Sequence, residues 1–152
     1  MLKRPTGVNL GLMLPDFLIG FLLVAANVTL HALGLTLLTR HLLATVGGNR
    51  GLWPLGWLLI RTAWFLIALH GVGVSLWALA YWLLGCLPDA GSAYYFSATT
   101  YTTIGYGDLV LPPGWCLLAP LEGMTGILMS SLSGAYFFAV MSRVLGVRKD
   151  AA

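Results

Sequence analysis

Apolar residues run almost unbroken through three long stretches and one short one, each bounded by polar, proline or glycine positions. The first, Phe17 to Leu38, opens after Pro15-Asp16 and closes at Arg40-His41. About 20 apolar residues cross the hydrocarbon of a bilayer as a helix, so this run predicts a span. The second begins at Pro54, a residue suited to a first helical turn, and continues to Leu84. It is longer than a span requires, so Arg61 is expected to snorkel to the interface, leaving Ala63 to Leu84 in the hydrocarbon. Trp53, Trp57 and Trp64 at one end, and Tyr81 and Trp82 at the other, form the expected aromatic belts. The third run extends from Trp115 to Met141 and stops at Arg143, with Pro120 predicting a bend near its beginning. Between the last two lies Ser92 to Tyr101, too short to span, which predicts a helix that re-enters the membrane.

Composition agrees with that pattern. Of the 152 residues, 59% are hydrophobic and 9% charged, and the mean hydropathy is +0.87. This is an all-α integral membrane protein of three spans, with no room for an appended soluble domain. The net charge of +3 comes from residues beside the apolar runs, which points to membrane orientation and contacts with anionic lipid rather than nucleic acid. Thr62 to Ser142 contains no Lys or Arg, whereas Arg40, Arg50, Arg61, Arg143, Arg148 and Lys149 flank the runs. These six belong in the cytoplasm, with the re-entrant segment opening on the opposite face and the C-terminus inside. Lys3 and Arg4 oppose the assignment, because a crossing first helix puts them outside. Crossing is the expectation; the alternatives are a hairpin bent at Pro15, or a signal peptide cleaved at Val24-Ala25-Ala26, which the continued apolar run to Leu38 opposes.

The short helix leads into Thr102-Thr103-Ile104-Gly105-Tyr106-Gly107-Asp108. An extended strand of L-residues points its carbonyls alternately to either side, but conformations alternating with positive φ aim them along one axis. Gly105 and Gly107 adopt such conformations without a Cβ penalty. Thr103 adds a hydroxyl at the inner end, Ile104 and Tyr106 are expected to turn away and pack against surrounding helices, and Asp108 sits at the outer mouth. The heptapeptide resembles the signature of the potassium channel family, with Thr103, Ile104, Gly105, Tyr106 and Gly107 matching its filter residue by residue. Together with the flanking runs it resembles the two-helix pore module of small bacterial channels, over roughly Trp53 to Arg148.

The resemblance implies potassium coordinated by carbonyls of the filter residues, with Thr103, Ile104, Gly105 and Tyr106 as principal ligands, and passive conduction through a homotetramer in a bacterial inner membrane. It divides the chain into an N-terminal tail, additional helix and loop (1–51), a pore domain (52–148) and a short tail (149–152). No cofactor is expected beyond the permeant ion. The partners are three identical subunits and membrane lipid, with a separate regulatory protein left open. Lacking a metal cluster or a nucleophile with its base, the chain reads as no enzyme. The rival readings are a weakly selective cation channel and a non-conducting membrane subunit or scaffold.

Several polar residues lie inside the runs. His31 and His70 fall at similar depths, about 10 to 14 Å from their basic flanks at about 1.5 Å per residue, and could meet across the first two helices. Two readings stand: neutral histidines bonded to carbonyls or serines, and a proton-sensing pair. Glu122 lies in the outer half of the third run, where a carboxyl group needs hydrogen bonds or water. The best-known small member of the family has a glutamate in its pore helix against the post-filter aspartate; Thr99 stands at that position here. Tyr95 is therefore the candidate partner of Asp108, and Glu122 a candidate support behind the filter. Ser131, Ala135 and Ala139 form a small-residue stripe that either lines an inner cavity or packs against the second helix, and Gly126 or Gly134 is a candidate gating hinge. The first helix lacks the spaced arginines of a voltage sensor. Cys86 and Cys116 flank the loop region, either as a disulfide or as two thiols.

Overall fold

A computed structural model describes residues 10–45 and 52–149. They form four helices: α1 (Leu10–Thr45), α2 (Leu52–Leu83), α3 (Ala90–Tyr101) and α4 (Leu118–Lys149). Three of these, over Asp16–Ala44, Leu55–Leu83 and Leu118–Arg143, are long and apolar enough to cross a membrane. The fourth, α3, has only 12 residues and lies between α2 and α4 in sequence and in space.

Helix α1 runs through Pro15 without interruption. From Asn27 onward its buried positions, Asn27, His31, Gly34, Leu35, Leu38 and Leu42, follow one face of the helix, toward α2 and α4. Close approach is set by Gly34: a Cβ there would meet the Leu69 side chain at 2.6 Å. Helices in lipid gain little from hydrophobic exclusion, so small residues that admit a neighbour at short range are how such contacts are built.

The third span begins later than its apolar pattern suggested. Residues 113–117 form turns, including Trp115 N–H donating to the Pro112 carbonyl, and α4 begins at Leu118. Pro120 therefore lies in the first helical turn, where an amide has no intrahelical acceptor to lose, and the expected bend has no cause. Tyr81 is also placed differently from the sequence reading. Trp57, Trp64 and Trp82 are exposed, but Tyr81 is fully buried and belongs to the core, not to a belt.

Two apolar clusters hold the bundle. The larger gathers Trp77, Tyr81, Phe96, Tyr101, Leu118 and Met129 around α3; the smaller gathers Leu35, Leu38, Leu42, Leu66 and Leu69 between α1 and α2. Cys86 and Cys116 are both free thiols, the first buried and the second exposed.

Candidate functional site

Short as it is, α3 is capped at both ends. The Asp89 carboxylate accepts hydrogen bonds from the Ser92 backbone N–H (2.9 Å) and hydroxyl (2.7 Å), closing the N-terminus. These bonds hold the Asp89 carboxyl below its usual range. At the other end the Thr99 carbonyl accepts from the N–H groups of both Ile104 (2.8 Å) and Gly105 (3.1 Å), and the Thr100 carbonyl accepts from Thr103 (2.9 Å). The loop after the helix is thereby folded back onto its last turn.

Backbone torsions of that loop alternate. Thr103, Gly105 and Gly107 have φ of 63°, 51° and 79°, and Ile104 and Tyr106 between them do not take positive φ. Thr103 is the only non-glycine residue at positive φ among the described residues, and a β-branched side chain there is strained. Asp108, just beyond, accepts a hydrogen bond from the Tyr95 hydroxyl at 2.8 Å, which ties the loop's outer end to the first half of α3. Thr99 makes no such link; its hydroxyl donates to the Phe96 carbonyl. Ile104 and Tyr106 are 55% and 69% exposed, so their expected packing against surrounding helices is not made within the chain.

Behind α3 lies a buried carboxyl group. Glu122 is fully buried, and the Tyr81 hydroxyl donates to its Oε2 at 2.7 Å while Ser97 Oγ lies 2.5 Å from its Oε1. Ser97 also reaches the Val74 carbonyl at 2.8 Å. One carboxyl group on α4 therefore joins α2 to α3, answering the need for partners that burial imposes. One turn further along α4, Gly126 lets the helix rest on the end of α3: a Cβ there would lie 2.0 Å from the Tyr101 carbonyl oxygen.

A second polar cluster joins all four helices. His31 and His70 are brought together, ring centroids 5.0 Å apart, and the Nε2 atoms of both reach Ser133 Oγ, at 2.9 and 3.0 Å. His70 Nδ1 lies 3.4 Å from the Tyr101 hydroxyl, which also accepts from Asn27 Nδ2 at 3.5 Å. Tyr101 is the last residue of α3, so this cluster ends at the root of the loop. Asn27, Ser97, Tyr101 and Ser133 were given no role in the sequence, and Tyr81 was assigned only to an aromatic belt. The available signal was spacing: Asn27 and His31, and Ser97 and Tyr101, each lie four residues apart, on one face of a helix.

The small-residue positions Ser131, Gly134, Ala135 and Ala139 on α4 are all exposed, and nothing lies within 4 Å of a Cβ built on Gly134. Ala139 also borders a groove between α1, α2 and α4.

A family model described as an ion channel matches residues 57–143, more than half of the chain, running from Trp57 in the second turn of α2 through α3 and the loop to Arg143 in α4. The chain belongs to the ion channel family. No curated protein and no solved structure matches it. The channel is thus an all-helical, multi-pass membrane protein whose matched region contains the short helix α3, with α1 lying outside that region. Passive ion transport, not catalysis, is what the family performs.

Proposed function

We propose that the channel is selective for potassium and that Thr103 to Gly107 form its filter. The observation that carries this reading is the alternation of positive φ at Thr103, Gly105 and Gly107, the backbone geometry needed to turn successive carbonyls toward one axis. One chain supplies one such strand, and an ion must be surrounded, so the conducting unit is a cyclic oligomer, which the resemblance to potassium channels makes a homotetramer. The exposed Ile104 and Tyr106 side chains then pack against neighbouring subunits, which supplies the contacts missing within one chain. In that ring the carboxyl ends of the four α3 helices, with their partial negative charge, face the cavity and favour a cation. Tyr95 and Glu122 act as supports of the filter, the first through Asp108 and the second through Ser97. Exposed Ser131 and Ala135 line the inner cavity, and Gly134, with free space around it, is the better-placed hinge than Gly126, which is wedged against Tyr101. The C-terminus and the arginine-flanked ends of the spans are cytoplasmic.

Reversal potentials of purified channel in planar bilayers, with potassium on one side and sodium on the other, test this reading. A potential near the potassium equilibrium value is expected. Equal permeability to the two ions would replace it with a non-selective cation pathway, and absence of current with a non-conducting subunit.

A further inference from the structure

The arginine-bearing ends of the three spans enclose an apolar groove of about 320 Å³ between α1, α2 and α4. Its walls include Leu42 and Leu43 from α1, Leu58 from α2, and Ala139 and Val140 from α4. Arg143 stands on its lining. A smaller hollow of about 80 Å³, sharing Leu42 and Leu58 with the first, is lined by Arg61. Thr39 and Tyr136 share a hydrogen bond of 2.9 Å across the groove, linking α1 to the half of α4 that leads out of the membrane.

Charge at this end is one-sided. Among the described residues the carboxyl groups are Asp16, Asp89, Asp108 and Glu122, and none belongs to the parts of α1, α2 and α4 that carry Arg40, Arg61 and Arg143. Nothing acidic in the described chain lines either hollow. An apolar slot beside guanidinium groups, open to lipid and without an internal counter-ion, calls for a molecule with a hydrocarbon tail and an anionic head.

We propose that this groove binds an anionic phospholipid of the adjoining leaflet, one acyl chain lying against Leu42, Leu58 and Val140 and the headgroup phosphate held by Arg143 and Arg61. Basic pockets between membrane helices take anionic headgroups in this way, and guanidinium forks suit phosphate. Because the groove is walled by both α1 and α4, its occupant sets their separation, making the additional helix the element through which lipid composition reaches the inner half of α4.

Native mass spectrometry of the purified, delipidated channel, re-supplied with phosphatidylglycerol or phosphatidylcholine of matched chains, tests the proposal. Wild type is expected to retain phosphatidylglycerol in preference. Arg143→Gln should reduce that preference about five-fold, the factor expected for one basic residue at an anionic surface. Arg143→Lys should restore most of it, and Leu58→Trp, which fills the slot, should remove retained lipid of both kinds. Equal retention of the two lipids by wild type would overturn the proposal, as would an Arg143→Gln variant with undiminished preference. So would efficient cross-linking between copies through a cysteine placed at Leu43, since a second chain would then cover the groove. Elution of each variant at the wild-type volume in size-exclusion chromatography separates a lost site from a lost fold.

Discussion

Replacing Gly126 by alanine tests how closely α4 must sit on the end of α3. The added Cβ would lie 2.0 Å from the Tyr101 carbonyl oxygen, 2.9 Å from its carbonyl carbon and 3.2 Å from its Cα, whereas ordinary contact begins near 3.4 Å. All three neighbours are backbone, so no side chain can rotate out of the way. Relief requires α4 to withdraw from α3 by more than an ångström, or the last turn of α3 to shift. Glu122 sits one turn before Gly126 on the same face, so withdrawal also stretches its bond to Ser97. Alanine gains about 1 kcal/mol of helix propensity over glycine, and overpacking a rigid contact costs about 1–3 kcal/mol. The balance is a loss of up to about 2 kcal/mol, or up to about 8 °C in melting temperature for a chain of this size. Gly71→Ala supplies the control, because nothing lies within 4 Å of its Cβ and only the propensity gain applies. Melting followed by fluorescence-detected size-exclusion chromatography, together with potassium flux in liposomes, reads both consequences. Gly126→Ala should melt below wild type and lose flux, while Gly71→Ala should match or exceed wild-type melting. If Gly126→Ala melts with the control and conducts normally, the contact between Gly126 and Tyr101 is not a constraint and the reasoning fails.

Tyr95→Phe removes the donor to Asp108 without touching the core, so potassium currents should decay faster at unchanged melting temperature; a wild-type time course would show the link to be dispensable. Glu122→Gln keeps the shape of the side chain but brings two amide protons to a site already supplied by the Tyr81 and Ser97 hydroxyls, so both melting temperature and selectivity should fall; identical currents would separate Glu122 from the filter. Ser133→Ala takes away the shared partner of His31 and His70, each such bond in a membrane averaging about 0.6 kcal/mol and reaching about 1.7. Ser131→Ala, whose hydroxyl bonds only the Ile127 carbonyl of its own helix, should melt higher than Ser133→Ala, and the reverse order would count against the cluster. Because Asp89 has its folded-state pKa depressed by the bonds from Ser92, the stability it contributes is present above the unfolded value, about 3.9, and is lost as pH falls through the folded one. Melting followed from about pH 6 to about pH 3 should show a shallower acid limb in Asp89→Asn than in wild type; superimposable limbs would remove Asp89 from the linkage.

The spans and the short helix between the last two were legible because length and hydropathy alone decide whether a segment can cross lipid. Which face of each span packs was not, since a helix in lipid is apolar all round and its pattern carries no inside and outside. Asn27 illustrates the difficulty: in the sequence it is one polar residue in an apolar run, and only the fold shows that it is buried against Tyr101. Tyr81 was misread for a related reason, because a tyrosine at a span's end suits an interface as well as a buried carboxyl group. What distinguishes the two is Glu122, whose burial requires donors that Tyr81 and Ser97 supply. The later start of α4 follows from Pro112-Pro113-Gly114, whose turns use residues that hydropathy alone assigns to the helix.

These placements give the two sides of α3 different work. Ala93, Ser97 and Tyr101 lie four residues apart, are all buried, and face the protomer's own helices; Ser97 meets Glu122 and Val74, and Tyr101 lies within hydrogen-bonding reach of Asn27 and His70. Tyr95 lies on the exposed side and reaches Asp108, while the Thr99 and Thr100 carbonyls at the helix end receive the amides of the following loop. A short helix carrying a strained loop cannot be steadied by its own length, since isolated helices of 12 residues are marginal. It is steadied here by side chains from three longer helices, including one outside the region shared with the family. Helix α1 is therefore joined to the end of α3 through Asn27 and to Ser133 of α4 through His31, and a change in its position is felt at Tyr101, one residue before the loop begins.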